Sequence, residues 1–188
     1  MDKQHALTRR TLIAGGTLIA GGTLLTTALA VPATGAVPLR DFSFQDGHWT
    51  VHHRTLRKRL AGNTEWFEFT GTTTAGPLMG GEAGFEDNFL DHPAGAYHAA
   101  GLRRFDRATG LWSIWWWDGR FSEIDPPVVG RFENGVGTFF GDSELNGRAV
   151  RVRYIWDMPT PAVPRWQQAF SLDHGTSWET NWFMEFRR

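Results

Sequence analysis

In three stretches between Val150 and Phe186 a set of bulky, mostly aromatic or aliphatic residues recurs on every second position, a period that suits a half-buried β-strand and no helix. Val150, Val152, Tyr154 and Trp156 share one side of a stretch whose other side carries Arg151 and Arg153. Trp166, Gln168 and Phe170 repeat the pattern against Arg165 and Gln167, and Trp178, Trp182, Met184 and Phe186 repeat it against Glu179, Asn181, Glu185 and Arg187. A one-residue slip would send each apolar set to solvent, so the last three stretches have a defined inside and outside.

The rest of the chain reads the same way, as short β-rich stretches cut by turn residues. Strands are expected over Trp49 to Leu60, Glu65 to Thr73, Met79 to Phe89, Tyr97 to Phe105, Leu111 to Trp117, Val128 to Phe132, Val136 to Glu144, Arg148 to Trp156, Arg165 to Leu172 and Ser177 to Phe186. Gly62-Asn63, Asn134-Gly135 and Asn146-Gly147 tolerate positive φ and suit tight hairpins, while Asp106 to Gly110 suits a longer one. Ser122 to Pro127 and Asp157 to Pro164 are expected as loops, because proline removes backbone donors. Ten consecutive strands joined by short hairpins predict an all-β, antiparallel, up-and-down barrel, since closure removes exposed edges. In the stretch Leu111 to Trp117, Trp112, Ile114 and Trp116 oppose Trp115 and Trp117, so the outer side calls for a cover.

The first 36 residues belong to a different problem. Arg9-Arg10 stands directly before the apolar run Thr11 to Ala30, as in a twin-arginine export signal. That run holds four Gly and five Thr and duplicates Thr11 to Gly16 at Thr17 to Gly22, which favours a signal over a membrane anchor. Small-residue sites at Ala28-Leu29-Ala30 and Thr34-Gly35-Ala36 place cleavage near residue 30 or 36. The expectation is an extracytoplasmic single domain over residues 37–188, with no stable membrane insertion once the signal is gone.

Without Lys3, Arg9, Arg10 and Asp2, the 19 basic and 20 acidic residues become 16 and 19, too balanced to imply nucleic acid, and no nucleic-acid partner is expected. The local cluster Arg54, Arg57, Lys58 and Arg59 alternates with Thr55, Leu56 and Leu60 and reads as a solvated strand face. The chain has no cysteine, hence no disulfide, and its serines lie in no Gly-x-Ser-x-Gly elbow. All ten Trp follow residue 36, and that density predicts an aromatic core, an aromatic-lined cavity, or both.

Two motifs narrow the architecture. Gly47-His48-Trp49 is a Gly-x-Trp triplet of the lipocalin kind, in which Trp plugs one barrel end. Ser171-x-Asp173-x-Gly175-x-Ser177-Trp178 resembles the Asp-box hairpin: Asp173 accepts from turn amides, Gly175 takes positive φ, and Trp178 packs beneath. With Leu78 to Gly81, Phe105 to Ile114, Asp125 to Phe132, and Arg165 to Phe170 through Trp178 to Trp182, the chain from about Phe42 to Arg188 resembles an uncharacterised bacterial family of calycin-like, or lipocalin-like, barrel domains. The resemblance implies the fold and brings no assigned activity.

An aromatic-lined barrel suits a small apolar or aromatic ligand oriented by a few inward polar groups. His53, His98, Trp116, Tyr154, Gln168 and Trp182 are the candidate ligand-binding residues. The alternatives are an isomerase, cyclase or lyase in which His53 or His98, paired with Glu68, Glu86 or Asp87, is a general base, and a structural or partner-binding barrel with a filled core. No catalytic residue is assigned. Neither a metal nor a cofactor is expected, because His52 and His53 point to opposite strand faces and leave only His48 and His52 on one side.

Overall fold

Ten antiparallel strands follow one another around a closed barrel: β1 (Gly47–Leu56), β2 (Trp66–Leu78), β3 (Ala83–Leu90), β4 (Tyr97–Asp106), β5 (Leu111–Asp118), β6 (Val128–Glu133), β7 (Val136–Leu145), β8 (Arg148–Thr160), β9 (Val163–Ser171) and β10 (Glu179–Arg187). Each strand pairs with the next, and β1 closes the ring on β10 with Thr50 opposite Arg187 and Thr55 opposite Trp182. This is the up-and-down topology expected from the sequence. The computed structural model describes residues 40–160 and 162–188, so the twin-arginine segment and both cleavage sites lie outside the described residues.

Turn chemistry follows the sequence at the Asn-Gly hairpins, whereas Gly62-Asn63 lies in the long connection between Leu56 and Trp66 and forms no tight hairpin, with Gly62 at φ 64 and Asn63 not at positive φ. Asn134-Gly135 and Asn146-Gly147 take positive φ in succession, as the two-residue hairpins of twisted strands require. The Asp-box hairpin forms as expected: Asp173 Oδ1 accepts from the Ser177 amide at 2.8 Å, and Asp173 Oδ2 accepts from Ser177 Oγ at 2.6 Å. Gly175 sits at φ +97, where a Cβ would press on the Trp178 ring, and the Trp178 indole donates to the Gly175 carbonyl at 3.0 Å.

Three further expectations are corrected. The stretch Asp157 to Pro164 is mostly strand, because a register shift between Asp157 and Thr160 lets β8 run on until Thr160 pairs with Val163. Trp178 does not share the inner face of Trp182. A bulge between Thr180 and Trp182 changes the phase of the chain there, leaving Trp178 outside against Phe140 and under the Arg153 guanidinium and turning Asn181 inward, fully buried. The basic cluster is not one solvated strand face: β1 ends at Leu56, and Leu60 has φ 55 in the turn that follows. The outer side of β5 is only partly covered. Trp117 is 45% exposed, its indole donating to the Phe121 carbonyl at 3.2 Å.

One end of the barrel is filled. Phe42, carried by the segment before β1, meets Trp112 and Phe132 edge-on at 5.1 and 4.9 Å, and Trp156 packs on Phe186 at 5.4 Å. Each such side chain removed from water is worth roughly 1.5–3 kcal/mol. Trp49 closes this end as the Gly-x-Trp motif predicts: its indole donates to the Gln45 carbonyl at 2.7 Å, and the Arg188 guanidinium lies 4.6 Å from its ring centre. Arg103 is buried here against the Phe42 ring at 4.3 Å, beside Glu86 at 3.4 Å, and donates to Gln45 Oε1 and to the Phe85 carbonyl.

Candidate functional site

At the opposite end, above the aromatic plug, the barrel opens into a cavity of about 560 Å³. Alternation supplies its walls: Phe69 from β2, Tyr97 from β4, Trp116 from β5, Gln168 and Phe170 from β9, and Trp182 from β10 all face inward. Trp182 stands edge-on to Trp116 at 5.9 Å and to Trp166 at 5.4 Å, geometries that the ring quadrupoles favour. A recess of about 40 Å³ opens beside it between Asp125, Ser143, Tyr154 and Gln168.

Of the six residues singled out from the sequence, Trp116, Gln168 and Trp182 line the cavity and Tyr154 lines the recess. Burial raises the Tyr154 phenol, so it stays a neutral hydrogen-bonding group. Gln168 is only partly committed to the protein: its Nε2 donates to Asn181 Oδ1 at 2.8 Å.

His53 lies one layer behind the wall. It is 1% exposed and stacked on Phe69 at 4.7 Å with an interplanar angle of 5°. The ring fits because Gly71, diagonal to it on β2, has no side chain: a Cβ there would run into His53 Nε2 and the Phe89 carbonyl oxygen. Trp182 Nε1 donates to His53 Nδ1 at 3.3 Å, so Nδ1 is the acceptor and the ring proton sits on Nε2. Burial, then the charges of His52 and His92, lower its pKa from 6.5 to about 3. A basic nitrogen so weak, and already engaged, is poorly placed to take a proton from a ligand.

His98 is a correction. β4 turns Tyr97, Ala99, Gly101 and Arg103 inward, so His98 is exposed on the outside beside Phe89. Nor do the carboxylates expected to pair with these histidines do so. Glu68 is outside with His52 and Arg54, Glu86 is with Arg103 at the filled end, and Asp87 is exposed. Among the described residues no three His, Asp or Glu side chains group within reach of one metal ion.

The rim carries residues that were not among the ligand-binding candidates. Arg59, in the turn after β1, holds its guanidinium 5.6 Å from the ring centres of both Phe170 and Trp182. Arg120, from the loop after β5, lies 3.8 Å over the Tyr97 ring and is clasped by Asp118 at 2.9 and 2.7 Å. His92, after β3, packs edge-on to Phe69 at 4.9 Å, and burial followed by the Arg120 and Arg59 charges lowers its pKa. The nearest sequence signals were the arginine run at 54–59 and the His92-Pro93 pair, neither of which reveals which way a turn folds.

Fold and site together define a ten-stranded up-and-down β-barrel, plugged at one end and hollow, aromatic and rimmed with arginine at the other. No family model matches the chain, and no curated protein matches it. Among solved structures it is similar to the S-type phycobiliprotein lyase CPES from Guillardia theta, at 10% sequence identity and a TM-score of 0.49, over 78% of this chain and 89% of that one.

Proposed function

We propose that the protein binds one small apolar or aromatic molecule in the open half of the barrel. The observation that carries this is the cavity of about 560 Å³ between Phe69, Trp116, Phe170 and Trp182. That size falls in the range of small-molecule pockets, and the cavity joins aromatic walls, Phe69, Tyr97, Trp116, Phe170 and Trp182, to a polar and charged mouth with Arg59, Asp118, Arg120 and Asn146. Aromatic side chains fill the barrel interior at the opposite end, whereas here the interior is left open at its mouth.

The test is a fluorescence titration of the purified protein with neutral N-phenylnaphthylamine. One-site saturable binding is expected, and it should be lost in Ser143→Trp, which puts an indole into the cavity from β7. Absence of saturable binding, or binding indifferent to that substitution, overturns the proposal.

Export by the twin-arginine route is part of the same proposal and rests on Arg9-Arg10 ahead of the Gly- and Thr-rich run. Changing both arginines to lysine should hold the protein in the cytoplasm of cells with an active twin-arginine pathway. Undiminished export of that variant refutes the route.

A further inference from the structure

We propose that the ligand is an acid, its apolar or aromatic body in the cavity and its carboxylate, or a similar anionic group, held at the rim by Arg59. This deepens the binding function proposed above and rests on it.

The position of Arg59 is built into the chain. β1 stops at Leu56, and the Leu60 amide donates to Glu179 Oε1 at 2.6 Å, which ties the turn to the start of β10. The tie sets the half-buried Arg59 guanidinium above the Phe170 and Trp182 rings that wall the cavity. Glu179, which accepts that bond through Oε1, acts on Arg59 through its charge but makes no ion pair with it.

Three carboxylates share the cavity with Arg59, and none of them pairs with it. Asp118 is held in a two-pronged bond by Arg120, Asp125 lies where the cavity meets the recess beside Tyr154, and Glu144 is exposed at the mouth. Among the described residues Arg59 forms no ion pair and no hydrogen bond, whereas its neighbour Arg57 pairs with Glu65 at 3.5 Å on the outside. Burial lowers the Arg59 pKa, as a cation drawn from water without a partner requires, while Tyr97, Tyr154 and Glu179 act the other way.

A guanidinium nevertheless remains charged, with five donors in a fixed fork. A neutral molecule closing the cavity would strip more water from that fork and return no acceptor. An acid supplies two oxygens in the matching geometry, a charge-assisted pair in a site shielded from solvent. Arg120 competes poorly for the same group, because Asp118 already engages its Nε and Nη2 and offsets its charge.

Two probes with one aromatic skeleton separate the cases: neutral N-phenylnaphthylamine and the anionic anilinonaphthalene sulfonate. The wild-type protein should bind the sulfonate at least about tenfold more tightly than the neutral probe, the worth of one charge-assisted hydrogen bond. That ratio should collapse in Arg59→Met and persist in Arg59→Lys. If Arg59→Met does not fold, the wild-type ratio is followed against added salt, which should erode it by screening. Equal affinities for the two probes, a ratio unmoved by Arg59→Met, or a ratio unmoved by salt overturns the acid assignment while leaving the cavity as a binding site. Failure of both probes to bind overturns the cavity proposal itself, and the acid assignment with it.

Discussion

Inside the barrel the Trp182 indole donates a hydrogen bond to Nδ1 of His53 across 3.3 Å, joining β10 to β1 at the seam where the barrel closes. The bond requires the neutral imidazole. In the unfolded chain His53 takes up a proton near 6.5, whereas in the folded protein its pKa is lowered to about 3, so between those values unfolding binds a proton. Stability contributed by neutral His53 is therefore intact above the upper value and is lost as pH falls towards the lower one, by up to about 1.4 kcal/mol per pH unit. His53→Gln should flatten that part of the profile. Urea unfolding of both proteins across the window checks this, and parallel profiles would refute it.

The buried cation at the filled end calls for a different experiment. Arg103 and Glu86 are both almost completely buried, 3.4 Å apart. Arg103→Met should cost about 3–5 kcal/mol because it strands the Glu86 charge. The double change Arg103→Met with Glu86→Met should recover most of that loss. Denaturation midpoints of the two single variants and the double variant give the coupling, and simple additivity would contradict a direct pair.

Asn181 is turned inward by the β10 bulge and accepts from Gln168 at 2.8 Å. Asn181→Ala leaves the Gln168 amide without that acceptor and should cost about 1–3 kcal/mol. Gln168→Leu alone should cost Asn181 the same bond, and the effects of the two changes should be far from additive. Urea unfolding of the three variants decides it.

The Asp-box hairpin predicts a carboxylate effect at low pH. Hydrogen bonds from Ser177 and Ser171 hold the Asp173 carboxyl well below the usual range, so its contribution is present above the ordinary Asp pKa and fades as pH falls through the depressed folded value. Asp173→Ala should speed amide exchange through Asp173 to Ser177 at neutral pH. Unchanged exchange would show that the turn holds without its carboxylate.

How far these features were legible beforehand depended on the local signal. β8 and β9 were readable because their bulky inner residues alternate with Arg151, Arg153, Arg165 and Gln167, and the Asn-Gly turns and the Asp box declare their backbone conformations through residue type. β4 was not: its inner face, Tyr97, Ala99, Gly101 and Arg103, is small and charged as much as apolar, so the phase of His98 had no hydrophobic marker. The bulge that brings Asn181 inward is a one-residue irregularity, invisible to a strict period of two. Arg59 lay in a run of basic residues whose strand ends three residues earlier, and only the bond from Leu60 to Glu179, across the barrel seam, turns it over the cavity.

The most direct test of a ligand site in the open half of the barrel is a titration of indole-labelled protein with N-phenylnaphthylamine, followed through the tryptophan Nε1–H resonances. The Trp116 and Trp182 signals should move to a one-to-one end point, while those of Trp49, Trp112 and Trp156 in the filled end stay where they are. Movement confined to the outer Trp117, or none at all, would contradict the account.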